Sequence, residues 1–210
     1  MTDAPDEQPR RTRTVPLYIA IALVVAALVC GYIAGRPGYP IDTSADAGFL
    51  RDMSVHHAQA VDMAFVIRDK TDDPTLRAIA QDIARTQQEQ IGRMQGWLVQ
   101  WDLPARSSQP PMAWMAGHDG HGGEAPDTMP GYASEERMAD LADADGVDAE
   151  VIFLETMIDH HRGGIEMAEA EARLGGDDMV TAFAAGMAEA QQTEIDLMND
   201  LLEDRGAEPV

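Results

Sequence analysis

Cysteine is almost absent. Cys30 is the only one in 210 residues, and it lies inside an apolar run. The rest of the chain therefore offers neither a disulfide nor a thiolate, so a metal held there must be bound by His, Met, Asp or Glu. Basic residues are also scarce. Fifteen Lys and Arg stand against 37 Asp and Glu, a formal charge of −22. Few cations to neutralise phosphates argues against a nucleic-acid partner. The acidic excess would concentrate cations near the surface, although taken alone it is better explained as a solvated face. Beyond the apolar run there is no alternating strand pattern, which points to an all-α fold.

The apolar run is "VPLYIAIALVVAALVCGYIA", residues 15–34, with no charge. Twenty such residues are about what a helix needs to cross a bilayer. Arg10, Arg11 and Arg13 precede it, which orients the N-terminus to the cytoplasm. A cleaved signal peptide is the competing reading. Tyr32 spoils the small-residue cleavage pattern, and Val29 before Cys30 spoils a lipoprotein box. We therefore favour an uncleaved single-pass anchor over 15–35, with 1–14 as a cytoplasmic tail, 36–43 as a linker and the rest outside the cytoplasm.

The remainder is internally duplicated. Shifting the chain by 104 residues aligns 49–98 with 153–202 without a gap, and 16 of 50 positions are identical. Unrelated segments would agree at about three or four. Each copy reads as two helices: about 44–70 and 74–101, then about 148–174 and 178–204. Phe49, Met53, His56, His57, Ala60, Met63 and Ile67 form one stripe at helical period. Asp73 before Pro74 is a helix cap with proline at the first helical position, and Asp177 is its counterpart. Neither hairpin can bury its apolar face alone, so the two are expected to pack as a four-helix bundle over 44–205. The connection 103–147 is rich in Met, His, Gly and Pro, with one short helix expected at 134–142.

The six histidines come as three pairs: His56/His57, His160/His161 and His118/His121. The first two pairs sit mid-helix in equivalent copies. They should meet at one level of the bundle, where four neutral imidazoles need polar partners that a metal would supply. Met53 and Met63, and in the second copy Met157 and Met167, lie one or two turns away on the same faces. Thioether and imidazole together suit copper, Cu(I) above all, and suit Mg²⁺, Ca²⁺ or Zn²⁺ poorly. Met94, Met187 and Met198 lie on core stripes and read as packing. Met112, Met115 and Met129, with His118 and His121, fall in a Gly-rich connection where packing explains methionine less well, and they read as a second metal-binding segment. Trp114 would cover an apolar pocket or lie over an ion. A di-iron site is disfavoured, because no Asp or Glu stands three residues before any helix His. Asp62 and Glu166 fall on the opposite face. Nucleophilic chemistry is equally unsupported: Ser54, near His57, is replaced by Ile158 in the copy.

The stretches "FLRDMSVHHAQAVDMA", "QDIARTQQEQIGRMQGWL", "MPGYASEERMADL" and "FLETMIDHHRGGIEMA" resemble the domain of unknown function 305 family over about 44–205. The resemblance implies a ferritin-like four-helix bundle and, from some members, periplasmic or extracellular copper binding linked to copper tolerance. By position it implies Met53, His56, His57 and Met63, then Met157, His160, His161 and Met167, as the motif residues. The expected function is a membrane-anchored protein that sequesters copper, as Cu(I) or Cu(II), or passes it to a transporter or acceptor protein. The alternatives are a redox-active enzyme such as a Cu(I) oxidase, and an interaction module with a His-lined core. The sequence leaves open whether the four helix histidines form one site or two.

Overall fold

A computed structural model describes residues 16–35, 38–116 and 128–210. It divides into two compact units, one ending at Gly38 and one beginning at Tyr39. The first holds α1 (Leu17–Ala34), whose side chains are all exposed. It is long and apolar enough to cross a membrane.

The second unit is all-helical among its described residues. It comprises α2 (Ala45–Lys70), α3 (Pro74–Gln100), a 3₁₀ turn (Ala113–Met115), α4 (Glu135–Asp143), α5 (Gly146–Leu174) and α6 (Asp178–Asp204). Helices α2, α3, α5 and α6 form the expected four-helix bundle. The caps are as the sequence indicates. Asp73 Oδ1 accepts from the backbone N–H of Thr75 and Leu76 at 2.7 and 3.4 Å. Asp177 does the same for Met179 and Val180 at 2.9 and 3.3 Å. Each cap satisfies amides that the first turn leaves unpaired.

Packing is closest within each hairpin and between α2 and α5, which run antiparallel. The start of α2 meets the end of α5, since Asp46 Oδ1 accepts from the N–H groups of Gly176 and Asp177 at 3.0 and 2.8 Å. At the other end, Lys70 Nζ donates to the carbonyl of Ala144. The repeat-equivalent of Asp46 is Glu150. It accepts from the Thr71 hydroxyl and from Arg205 Nε at 2.7 Å, while Arg205 also reaches Asp73 at 2.7 Å. Each hairpin thus contributes one buried carboxylate that fastens the other hairpin's turn.

Beside Asp46 the arrangement is asymmetric. Glu171, where the first copy has Ile67, is fully buried, and no donor reaches either carboxylate oxygen. Desolvation, and then the neighbouring Asp46 charge, push its pKa up to about 9. A carboxyl held neutral in this way donates its proton rather than lacking a partner. Its folded pKa lies above the ordinary value, so its contribution to stability is complete in acid and is lost as pH rises from about 4.5 to about 9. Glu171→Gln should remove that loss. At pH 8 it should stabilise the protein by on the order of a few kcal/mol, since each pKa unit corresponds to about 1.4 kcal/mol. Urea unfolding of both proteins at pH 5 and pH 8 checks this; parallel pH dependences would refute it.

The apolar core is split in two. One cluster is built on Met63, Ile67, Leu76, Ile83, Phe153, Met157, Ile195, Met198 and Leu202. The other is built on Phe49, Leu50, Met53, Ile91, Met94, Leu98, Met167 and Met187. Between them on the α2 and α5 stripes lie the four helix histidines.

Candidate metal centre

All seven stripe residues of α2, from Phe49 to Ile67, are buried. So are His160 and His161 on α5. The antiparallel α2–α5 contact stacks His56 on His160, with ring centroids 3.7 Å apart and planes 30° from parallel. His57 and His161 lie outward of this stack, 6.4 Å from His56 and 6.5 Å from His160. The two HH pairs therefore meet in one layer, as their mid-helix positions require.

Each ring gives away one N–H. His56 Nε2 donates to the Pro130 carbonyl at 3.0 Å, His57 Nε2 to Gln90 Oε1 at 2.7 Å, and His161 Nε2 to Glu194 Oε2 at 2.6 Å. His160 is hydrogen-bonded to the backbone of His56. The opposite nitrogens, Nδ1 of His56, His57 and His161 and Nε2 of His160, are buried with no partner. These acceptors fix the tautomers, so the orphaned nitrogens carry lone pairs. A metal-ligating histidine needs this arrangement, with one nitrogen anchored and the other free. Desolvation, opposed only in part by these hydrogen bonds, lowers His56 to about 4 and His57 to about 3. Burial and then the other imidazoles hold His160 well below its ordinary value. These three rings are neutral at pH 7, so a cation would not compete with a proton for them.

The four motif methionines are fully buried on the two sides of the layer. Met53 and Met167 share one apolar cluster, and Met63 and Met157 share the other. Among the described residues no three His, Cys, Asp or Glu side chains converge as a metal-binding group.

The connection differs from its sequence reading. Met112 and Met115 are buried in the same cluster as Met53 and Met167, and Met129 packs against it. Packing therefore does account for Met112 and Met115, because the chain after α3 turns back over the bundle. Asp52 anchors the turn, accepting from the Met112 N–H at 2.7 Å and the Trp114 indole at 3.0 Å. Trp114 packs edge-on to Phe49 at 5.8 Å, so it covers an apolar pocket. His118 and His121 lie outside the described residues. Ser54 donates to the Leu50 carbonyl. Asp62 is exposed as expected, while Glu166 is half-buried.

Over the layer lies a strap, residues 129–133. Pro130 holds His56, and the Tyr132 ring sits 6.3 and 6.4 Å from His56 and His160. The Gln59 amide exchanges two hydrogen bonds with the Ala133 backbone, at 2.9 and 2.8 Å. Sequence reasoning missed Gln90, Glu194, Gln59 and Pro130. Position 90 is not among the identical pairs, yet its spacing to His57 equals that of Glu194 to His161. That equality follows from the repeat and does not by itself single out either residue.

Fold and site together define a duplicated helical-hairpin bundle with an imidazole layer between two methionine-bearing cores. The chain belongs to the family described as domain of unknown function (DUF305), whose model matches residues 46–202. A DUF305 protein from Streptomyces coelicolor, described as secreted, is 48% identical, with 81% of this chain and 99% of that one covered at a TM-score of 0.74. A DUF305 fragment from Deinococcus radiodurans is 29% identical over 76% of this chain and 96% of its own, at 0.63. CopM in its Cu(II)-bound form is 26% identical over 77% and 97%, at 0.55; CopM has also been solved with Cu(I) and with Ag bound. No curated protein matches the chain.

Proposed function

We propose that this chain is an extracytoplasmic copper-binding protein, tethered by α1, that sequesters copper or hands it to an acceptor without turnover of its own. One observation carries the reading: four buried imidazoles, each with one nitrogen anchored and the other unpartnered. Desolvating four lone pairs with nothing to bind them is costly, and a soft cation would repay it. Met53, Met63, Met157 and Met167 flank that layer on the same two helices, and thioether sulfur would select copper over hard ions. The copper- and silver-bound forms of CopM support the same choice. Met112 and Met115 serve the core that holds Met53, and Met129 with His118 and His121 is a candidate capture segment. The relative described as secreted and the uncharged helix Leu17–Ala34 support an outward-facing domain on a single-pass anchor.

Anaerobic titration of the full chain in detergent with Cu(I), against a chromogenic chelator, tests this. Replacing His56, His57, His160 and His161 by alanine should weaken binding by about 100-fold or more, the loss of some 3 kcal/mol of ligation. Circular dichroism confirms that the variant remains helical. A folded variant binding Cu(I) as tightly as the native chain would end the proposal.

A further inference from the structure

The two outer rings of the imidazole layer, His57 and His161, have equivalent geometry but partners of unequal charge. His57 and His161 are related by the repeat, as are their partners Gln90 and Glu194. The hydrogen bonds are 2.7 and 2.6 Å, and each outer ring stands nearly the same distance from its inner neighbour. The acceptors of the other three rings are a proline carbonyl, a glutamine amide and a helix backbone. The His161 ring, fully buried, alone is anchored to a carboxylate, whose own side chain is 23% exposed.

Building on the copper reading, we infer that Glu194 is a positioning residue that makes His161 the dominant, first-engaged imidazole, with Gln90 leaving His57 the weaker counterpart. A carboxylate behind an imidazole increases the basicity of the nitrogen facing the metal, and outer partners of this kind change affinity by about 10–100-fold. Glu194 also brings a full negative charge close to the layer. In a water-poor interior this offsets an arriving cation far better than an amide dipole does. The native protein already contains the control: Gln90 shows that an amide at this position holds its histidine in the same geometry. Replacing Glu194 by glutamine therefore changes charge without changing shape.

Silver(I) is the probe, being soft, diamagnetic and redox-inert. The full chain, ¹⁵N-labelled at histidine, is titrated in detergent while the imidazole nitrogens are followed by NMR. In the native protein the Nδ1 resonance of His161 should move at lower silver than that of His57. In E194Q this lead should vanish and silver binding should weaken by about 10-fold. In the exchanged variant E194Q/Q90E, His57 should move first. A merely structural role for Glu194 would not reverse the order. If His57 and His161 move together in the native chain, or the exchange leaves their order unchanged, this inference falls and the copper reading survives. If no imidazole responds to silver in any variant, both fall.

Discussion

Acidifying the metal-free protein from pH 7 to pH 4 should cost it several kcal/mol of stability, at about 1.4 kcal/mol per pH unit for each buried imidazole. His56 and His57 have folded pKa values of about 4 and about 3, and His160 is lowered in the same direction. In the unfolded chain they return to about 6.5. Between these values the unfolded state binds more protons than the native one, so stability is complete above pH 6.5 and falls as the pH drops. Glu171 works in the opposite sense, since its neutral form is the one the fold prefers. The net loss should therefore be larger in Glu171→Gln than in the native protein. Urea midpoints of the metal-free chain at pH 7, 6, 5 and 4 check the trend. An unchanged midpoint from pH 7 to pH 5 in Glu171→Gln would show that the rings are not buried neutral.

Gly163→Ala should destabilise the domain by about 1–3 kcal/mol, the usual cost of forcing a side chain into a filled core, and should lift the strap from the imidazole layer. A Cβ at Gly163 would overlap the Pro130 carbonyl, backbone that has no flexible end to move aside. That carbonyl is the acceptor for His56 Nε2. From the other side the strap is equally constrained. Gly131 has φ +67°, and a Cβ there would overlap the Asp159 carbonyl, so no substitution at 131 relieves the crowding at 163. Two measurements check the prediction: the urea midpoint, and the tryptic cleavage rate after Arg137, which follows the strap. Since Arg137 is tied to Thr156 and Glu155 at 2.8 and 2.6 Å, faster cleavage would report loosening there. An alanine variant with native stability and native cleavage would show that the strap is not seated against Gly163.

Much of this could be read from residue order. Caps at Asp73 and Asp177, the stripe from Phe49 to Ile67 and the 104-residue repeat all depend on neighbours within a turn or two. Periodicity exposes such relations directly. The partners of the histidines were not legible in the same way. Gln90 and Glu194 lie 33 residues from their rings and Pro130 lies 74 from His56. No local pattern connects residues so far apart. The burial of Met112 and Met115 was illegible for a related reason. A Gly- and Pro-rich segment looks uncommitted until the bundle surface it folds onto is known.

By itself the sequence determined that this is a duplicated all-helical unit with paired imidazoles and thioethers on its buried stripes, because helical period and repetition are properties of order along one chain. The tertiary structure alone decided that His56 stacks on His160, that every ring is left with one free lone pair, and that a carboxylate stands behind His161 where an amide stands behind His57. Those facts arise where α2 and α5 cross and where the strap and the outer helices close over them, and contacts of that kind exist only once the hairpins have docked.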